Sequence, residues 1–169
     1  MFVAFDANFP LFSLSCKRNL NCMYFQINSK LINYFVIDCI LMVTDITSGI
    51  KVSVETEYQS EYSSPAQQHY VFTYRIIIEN LGDKTIRLMT RHWEIYDATY
   101  KKRKVTGEGV VGKKPTLEPG TSHQYVSGCN LKSGIGKMIG YYTMELLGSG
   151  RTFDVKIPEF NMVAPIFLN

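Results

Sequence analysis

Residues 107–112 read Gly-Glu-Gly-Val-Val-Gly, and this stretch decides the fold. Its glycines have the G-x-G-x-x-G spacing of dinucleotide-binding folds, in which a helix leaves the loop with its N-terminus facing the pyrophosphate. In this chain the hexad is followed by a segment that contains Pro115, Pro119 and Gly120. Two prolines and a glycine so close together exclude a helix of useful length. The Rossmann interpretation therefore fails, and the hexad is placed in an all-β context.

The glycine-rich loop of residues 101–114 has two remaining interpretations. In the first, backbone N–H groups around Gly107, Gly109 and Gly112 form a nest that binds a nucleotide or pyrophosphate. Basic residues would add charge to such a site: Lys101, Lys102, Arg103, Lys104, Lys113 and Lys114. In the second, the glycines permit a bend where the chain changes sheet, and the basic side chains form a solvated rim. The second is favoured, because the spacing has many false positives and its helix is missing.

Period-2 alternation on both sides of the loop predicts strands. Ile50, Val52 and Val54 alternate with polar residues, and the residues from Tyr70 to Ile78 alternate in the same way. Further strands are predicted at 86–97, with Met89, Trp93 and Ile95 on one side, at 124–129, and in a hairpin of 137–147 and 152–157. After Met42 no segment offers an amphipathic helix of useful length. About seven short strands with turns at this spacing indicate a β-sandwich of immunoglobulin or fibronectin type III style.

The composition fits one globular domain with a modest appendage. The chain has 169 residues, 46% of them apolar, and a formal net charge of +3 at pH 7. Dedicated nucleic-acid binders concentrate far more Lys and Arg on one face, so this charge predicts no nucleic-acid partner. Cys16, Cys22, Cys39 and Cys129 show neither a C-x-x-C pair nor zinc spacing. This pattern favours a reducing compartment and hence a cytoplasmic location.

Residues 1–41 differ from the rest of the chain, because they are rich in Phe, Asn, Ile, Leu and Cys without sustained periodicity. Lys17 and Arg18 follow the first apolar patch, whereas an export signal places its charges before that patch. The apolar run 31–43 is interrupted by Asp38 and is shorter than the about 20 residues of a membrane span. We expect one domain at 42–169. Residues 1–41 come from an upstream start, which is the favoured interpretation, or form a disordered extension.

Several short motifs occur in one order along the body of the chain. They are Asn80-Leu81-Gly82, Arg91-His92-Trp93, the hexad 107–112, Leu117-Glu118-Pro119-Gly120, Tyr125-Val126-Ser127-Gly128-Cys129, and the segments 136–142 (Gly-Lys-Met-Ile-Gly-Tyr-Tyr) and 153–160 (Phe-Asp-Val-Lys-Ile-Pro-Glu-Phe). Each motif alone is weak, but their joint order is specific. On these motifs the chain resembles the ApaG (CorD) family over residues 44–165, whereas residues 1–41 match nothing in that family.

The resemblance implies a fibronectin-like β-sandwich. It also implies eukaryotic relatives in which such a domain is fused to F-box proteins or occurs in polymerase delta-interacting proteins. Bacterial members carry a label of cobalt and magnesium efflux, which implies an effect on ion resistance. A cytoplasmic sandwich with no membrane span cannot itself pump ions, so we expect any such effect to act through a partner.

Neither an enzyme nor a metal site is predicted. The chain has no G-x-S-x-G nucleophile elbow, and Cys129 at a strand end is expected to be a small buried thiol. His69, His92 and His123 are each isolated, without the spacing of a metal-binding pair. The resemblance implies no settled catalytic role. No catalytic residue, metal or cofactor is therefore expected.

The favoured function is a non-catalytic binding module that presents a surface to another protein. Arg91 and Trp93 lie two residues apart on one strand face, and both residue types are enriched at interface hot spots. The favoured interpretation of this pair, however, is that Trp93 is the central core tryptophan of the sandwich, and that Arg91 covers the core edge with its aliphatic stem. Exposure of the Trp93 ring distinguishes the two. Self-association through an edge strand, giving a homodimer, is a further expectation.

Overall fold

The structure is a computed structural model that describes residues 42–99 and 102–168. The predicted extension 1–41 and Lys101 lie outside these residues. The described residues form nine strands: β1 Val43–Thr47, β2 Ile50–Tyr58, β3 Tyr70–Asn80, β4 Ile86–Asp97, β5 Arg103–Glu108, β6 Thr116–Leu117, β7 Ser122–Leu131, β8 Ile135–Leu146 and β9 Arg151–Val163. Single 3₁₀ turns occur at Ser60–Tyr62, Pro65–Gln67 and Pro165–Phe167. Within the described ranges, no helix has the length and apolar character needed to cross a membrane.

The strands pair into two antiparallel sheets. The first sheet has the order β1-β2-β3-β7, and the second has the order β5-β4-β8-β9, with β6 also paired to β4. Each sheet buries one face against the other, which is the arrangement of a β-sandwich. The predicted all-β, immunoglobulin- or fibronectin type III-like sandwich is therefore confirmed.

The core follows directly from the alternation in the sequence. Every second residue of β3 is buried, from Tyr70 to Asn80. At the centre of the sandwich the Trp93 ring lies 5.7 Å from Tyr74, 5.9 Å from Phe160 and 6.5 Å from Tyr142, measured between ring centroids. Edge-to-face and tilted aromatic contacts at these distances stabilise a core beyond the area that they bury.

A β-bulge in β4 changes which residues face the core. Leu88 pairs with Met144, but the next pair is Thr90 with Thr143, so Met89 is an extra residue in the strand. Alternation alone placed Met89 on the same side as Trp93 and Ile95. The structure corrects this, because Leu88 is the buried residue and the bulge then brings Trp93 and Ile95 inward.

The basic run also has a different structure from the one expected. Residues 103–108 form β5, an edge strand paired with β4, instead of continuing a loop from 101 to 114. Val105 is the one apolar side chain that this strand packs partly against the core. A strand with so few apolar residues gives almost no alternation, and its pairing with β4 is what fixes it.

Candidate functional site

The glycine-rich hexad consists of the end of β5 and a tight turn. Val110 and Lys113 exchange backbone hydrogen bonds of 2.8 and 3.0 Å. Between them, Val111 and Gly112 have φ values of 47° and 72°. Positive φ at both central residues is the geometry of a type I′ hairpin turn, which glycine adopts without strain.

Gly107 and Gly109 are required by close packing. A Cβ at Gly109, whose φ is +55°, would lie 2.0 Å from the Lys113 carbonyl oxygen. A Cβ at Gly107 would lie 2.9 Å from the guanidinium carbon of Arg91. These glycines therefore let the chain bend and let Arg91 lie flat against it. The second interpretation expected a bend, but it placed the bend where the chain changes sheet, and this was wrong: β5 and β6, on either side of the turn, both pair with β4.

Hydrogen bonds from Arg91 hold the hexad against β4. Its Nη1 donates to the carbonyl oxygens of Glu108 and Gly109 at 3.0 and 2.8 Å. The guanidinium thus donates its hydrogen bonds to the chain's own backbone. Arg91 is two residues from Trp93 in β4 and faces the same inner side of the sheet. This is close to the alternative in which Arg91 covers the edge of the core.

Trp93 belongs to the core. Only 3% of its surface is exposed, and its ring packs against three core aromatics. Such low exposure identifies Trp93 as a core tryptophan and not as an interface tryptophan. Trp93 does not present its ring to a partner in this structure.

Three N–H groups of the hexad region are already used by the chain itself. Gly109 donates to the carbonyl of Met89 at 2.8 Å, at the bulge in β4. Val110 and Lys113 donate to each other's carbonyl oxygens. An anion nest needs N–H groups that converge on the ligand, so this geometry gives the nucleotide interpretation little support.

Three of the basic side chains near the hexad form ion pairs. Lys102 and Lys104 both form ion pairs with Glu94, and Lys114 pairs with Glu108 at 3.0 Å. The hydrogen bond from Lys102, with smaller contributions from Tyr96 and Lys104, lowers the pKa of Glu94 to about 2. The same contact raises the pKa of Lys102. Glu94 and Glu108 therefore offset only part of the positive charge of this rim, since two carboxylates face five described basic side chains.

Arg103 connects the two sheets at one lateral side of the sandwich. From β5, its Nη2 donates to the carbonyl oxygen of Asn130 at 2.8 Å and to Sγ of Cys129 at 3.2 Å, both on β7. Burial raises the pKa of the Cys129 thiol, which is only 7% exposed. Cys129 is a buried, protonated thiol, as expected from its position at a strand end.

The opposite lateral side is closed by contacts between β1 and β9. Asp45 and Lys156 form an ion pair at 3.1 Å, and the Lys156 N–H donates to Oγ1 of Thr47 at 3.4 Å. Further along, Oγ1 of Thr56 on β2 donates to the carbonyl of Asn161 at 3.3 Å. The backbone edges of β1 and β9 are thus covered by each other, unlike the edge of β7.

The outward edge of β7 is the candidate site. β7 is the last strand of its sheet, with β3 on one side only. Asn80 N–H donates to the carbonyl of Thr121, which sets the alternation of hydrogen-bonded pairs along β3 and β7. In that alternation, Gln124, Val126 and Gly128 direct their backbone N–H and C=O groups away from β3. Nothing in the described part of the chain pairs with these three residues as a strand.

The side chains along this edge suit a contact with another chain. Val126 is 54% exposed, Gln124 is exposed, and Gly128 adds no side chain. Sequence alternation predicted the strand 124–129 but did not show that it is an edge. The signal present in the sequence was Gly128 inside a predicted strand, since a glycine there marks close backbone approach.

The histidines lie apart from one another. The ring of His92 is on the outer face of β4, where its nitrogens lie 3.0 and 3.2 Å from the hydroxyls of Thr90 and Thr106, and it stacks on Tyr141. Burial lowers the pKa of His123. Over the residues that the structure describes, no group of three His, Cys, Asp or Glu side chains is placed to hold a metal ion.

A family model and several relatives of this chain all point to one family. The family model described as the ApaG domain matches residues 60–146. Protein ApaG of Shewanella sediminis is 44% identical over 127 residues, which cover 75% of this chain and all of that protein. Protein ApaG of Rhizobium meliloti is 45% identical over 124 residues, 73% of this chain and 95% of that protein.

A solved structure agrees in fold. The crystal structure of an ApaA protein from Bordetella pertussis is 40% identical and superimposes with a TM-score of 0.66. The match covers 72% of this chain and 95% of the Bordetella chain. The two proteins are therefore similar in sequence as well as in architecture.

Proposed function

The chain belongs to the ApaG domain family, and on that premise we propose that it is a non-catalytic module that binds a partner protein along the outward edge of β7. One observation carries the proposal: three alternate residues, Gln124, Val126 and Gly128, point their backbone donors and acceptors away from their own sheet. An added strand can pair with such an edge, with main-chain hydrogen bonds supplying affinity and alternate side chains supplying specificity.

The two ends of the β7 edge are fixed before a partner arrives. At its C-terminal end, Arg103 holds the Asn130 carbonyl from the other sheet. At its N-terminal end, Asn80 donates to Thr121 and accepts from Gly120, both just before β7. A strand held at both ends loses little freedom when a second strand pairs with it, which favours binding.

The opposite lateral side supports the same assignment. There the edges of β1 and β9 contact each other through Asp45, Thr47 and Lys156. Natural sandwiches cover, charge or shorten edges that must stay unpaired. The β7 edge is ten residues long and carries no Lys, Arg, Asp or Glu. Such an edge is suited to pairing.

The glycine-rich nucleotide site, the second candidate, has less support. Gly109, Val110 and Lys113 donate their N–H groups within the chain, and Lys102, Lys104 and Lys114 are ion-paired. The link to cobalt and magnesium resistance would then be indirect and would act through the bound partner. Cytoplasmic location remains part of this proposal.

The test replaces Val126 with proline. Proline removes the outward N–H and is tolerated at an edge position whose N–H faces away from the neighbouring strand. In a pull-down from cytosol, we expect the natural chain and Val126→Thr to retain the same partner, and Val126→Pro to lose it. Val126→Thr is the matched control because it keeps the branched shape and the N–H group.

Amide hydrogen exchange gives the sharper readout with the captured partner. Binding along the edge should protect the amides of Gln124, Val126 and Gly128, while those of Tyr125 and Ser127 are already protected by β3. Protection confined to the turn at 109–113, or retention of the partner by Val126→Pro, would contradict the proposal. Adding pyrophosphate to the same exchange experiment tests the second candidate directly.

A further inference from the structure

A cavity of about 180 Å³ opens at one end of the sandwich, away from the hexad. The turn between β1 and β2, the loop between β3 and β4 and the hairpin between β8 and β9 surround it. Its apolar floor comes from both sheets: Ile50 from the first, and Ile86, Leu146 and Phe153 from the second. The cavity therefore lies where the two buried faces separate, and it continues the hydrophobic core towards solvent.

Asn80 fixes the loop that forms one wall. Its side chain is buried, and Nδ2 donates to the carbonyls of Lys84 and Leu117 at 2.8 and 3.0 Å. Its Oδ1 accepts from the N–H of Gly82 at 3.0 Å. Since every one of these bonds ends on backbone, the loop from 81 to 84 is held in shape and the cavity is formed before any ligand binds.

Arg151 lies at the mouth of the cavity, and its guanidinium forms no ion pair with a described residue. It pairs with Leu146 across the β8–β9 hairpin, and Leu146 pairs with the inward-facing Ile86, so Arg151 lies on the inner-face register at its open end. Among the described residues, no carboxylate lies within ion-pair distance of its guanidinium. Lys84 and Asp83 also line the cavity, and their side chains form an ion pair at 3.6 Å, so Arg151 supplies the uncompensated charge.

The size of the cavity limits what can enter. Sites for drug-sized ligands and cofactors are usually about 300–1,000 Å³. A volume of about 180 Å³ is enough for one apolar side chain and too small for a nucleotide or a cofactor. The arrangement thus combines a small apolar floor with the guanidinium of Arg151, which has no carboxylate partner among the described residues.

We propose that this cavity binds a carboxylate whose α-carbon carries one apolar side chain. The side chain would rest on Phe153, Leu146 and Ile50, and the carboxylate would accept hydrogen bonds from Arg151, with Lys84 beside it. Arginine and carboxylate groups match in a two-pronged geometry that makes such bonds strong. Two sources supply this chemistry: a free apolar amino acid and the C-terminal residue of a polypeptide.

The experiment titrates the full chain with N-acetyl-leucine and follows backbone amide shifts. We expect saturable, millimolar shifts at Ser48, Gly82, Lys84 and Arg151, because the contact area is small. Arg151→Gln should weaken binding about tenfold or more, the usual effect of losing a hydrogen bond to a charged group. The matched control is Arg87→Gln, which makes the same charge change on the exposed outer face of β4 and should leave the affinity unchanged.

Two further ligands sharpen the result and do not depend on any variant. Leucinamide has the same side chain without the carboxylate and should not bind. Free leucine binding more tightly than N-acetyl-leucine identifies a free amino acid as the source, and the reverse order identifies a polypeptide C-terminus. Equal binding of leucinamide, equal loss in Arg151→Gln and Arg87→Gln, or no shifts around the cavity would each overturn the proposal. None of these outcomes affects the β7 edge, which is probed separately.

Discussion

Gly109 and Gly112 meet the same backbone requirement in different surroundings. Both have positive φ, at 55° and 72°. A Cβ at Gly109 would lie 2.0 Å from the Lys113 carbonyl oxygen, whereas a Cβ at Gly112 would have nothing within 4 Å. The pair therefore separates the cost of a left-handed backbone from the cost of a steric clash.

We expect Gly112→Ala to lower the free energy of unfolding by about 1–2 kcal/mol, the cost of left-handed backbone for an L-residue. Gly109→Ala should lower it by about 1–3 kcal/mol more, the usual cost of overpacking. Urea denaturation monitored by Trp93 fluorescence measures both. Equal losses in the two variants would show that the contact with Lys113 relaxes without cost.

Two buried phenols form another residue-scale test. The hydroxyls of Tyr125 and Tyr142 lie 2.5 Å apart in the core, so one donates and the other accepts. Burial raises the pKa of both groups, which therefore stay protonated through the physiological range.

Removing one of these hydroxyls leaves the other buried without its hydrogen-bond partner. Tyr125→Phe and Tyr142→Phe should each cost about 1–3 kcal/mol of stability, because a buried polar group loses a partner. The double variant should cost clearly less than the sum, since no unpaired hydroxyl remains. Denaturant unfolding of the three variants completes the cycle, and strict additivity would rule out the hydrogen bond as an energetic contact.

At the scale of elements, Glu94 on β4 connects the second sheet to the basic start of β5. Ion pairs with Lys102 and Lys104 and a 2.9 Å hydrogen bond from Tyr96 converge on its carboxylate. The pKa of Glu94 is lowered from 4.5 to about 2 in the folded chain. The folded state therefore holds this carboxylate ionised where the unfolded chain would protonate it.

The stabilisation from Glu94 should be present in full above pH 4.5 and should be lost as the pH falls towards 2. Glu94→Gln removes that dependence, so the difference in stability between the natural chain and the variant should shrink across this window. Because the carboxylate is at the surface, the effect should be small and should weaken with added salt. A constant difference from pH 7 to pH 2 would contradict the assignment.

The β4 bulge shows why element positions were easier to predict than faces. Alternation from Tyr70 to Ile78 predicted a strand and its buried side directly. In β4, however, the inward face switches at Met89 because the register with β8 shifts there. The partner strand lies about fifty residues later, so nothing local to 86–97 contains this information.

At the scale of the whole molecule, the sandwich was predictable and the candidate site was not. Turn residues and alternation predicted two packed sheets. The edge status of β7 depends on the strand order β1-β2-β3-β7, which periodicity does not encode. The same holds for Arg103, which looked like one member of a solvated basic run and instead connects two sheets. Arg91 and Trp93 were linked correctly to one face, and that face points inward, as the core interpretation of Trp93 expected.

The contact between β1 and β9 has a consequence for how the chain is made. Lys156 donates to Thr47 across a separation of 109 residues, and Asp45 pairs with the same lysine. A ribosome delivers β1 first and β9 last, so the nascent first strand must wait for nearly the whole polypeptide before its outer flank is covered. Contacts so distant along the chain make assembly slow. During that interval we expect the unpaired edge of β1 to be prone to aggregation.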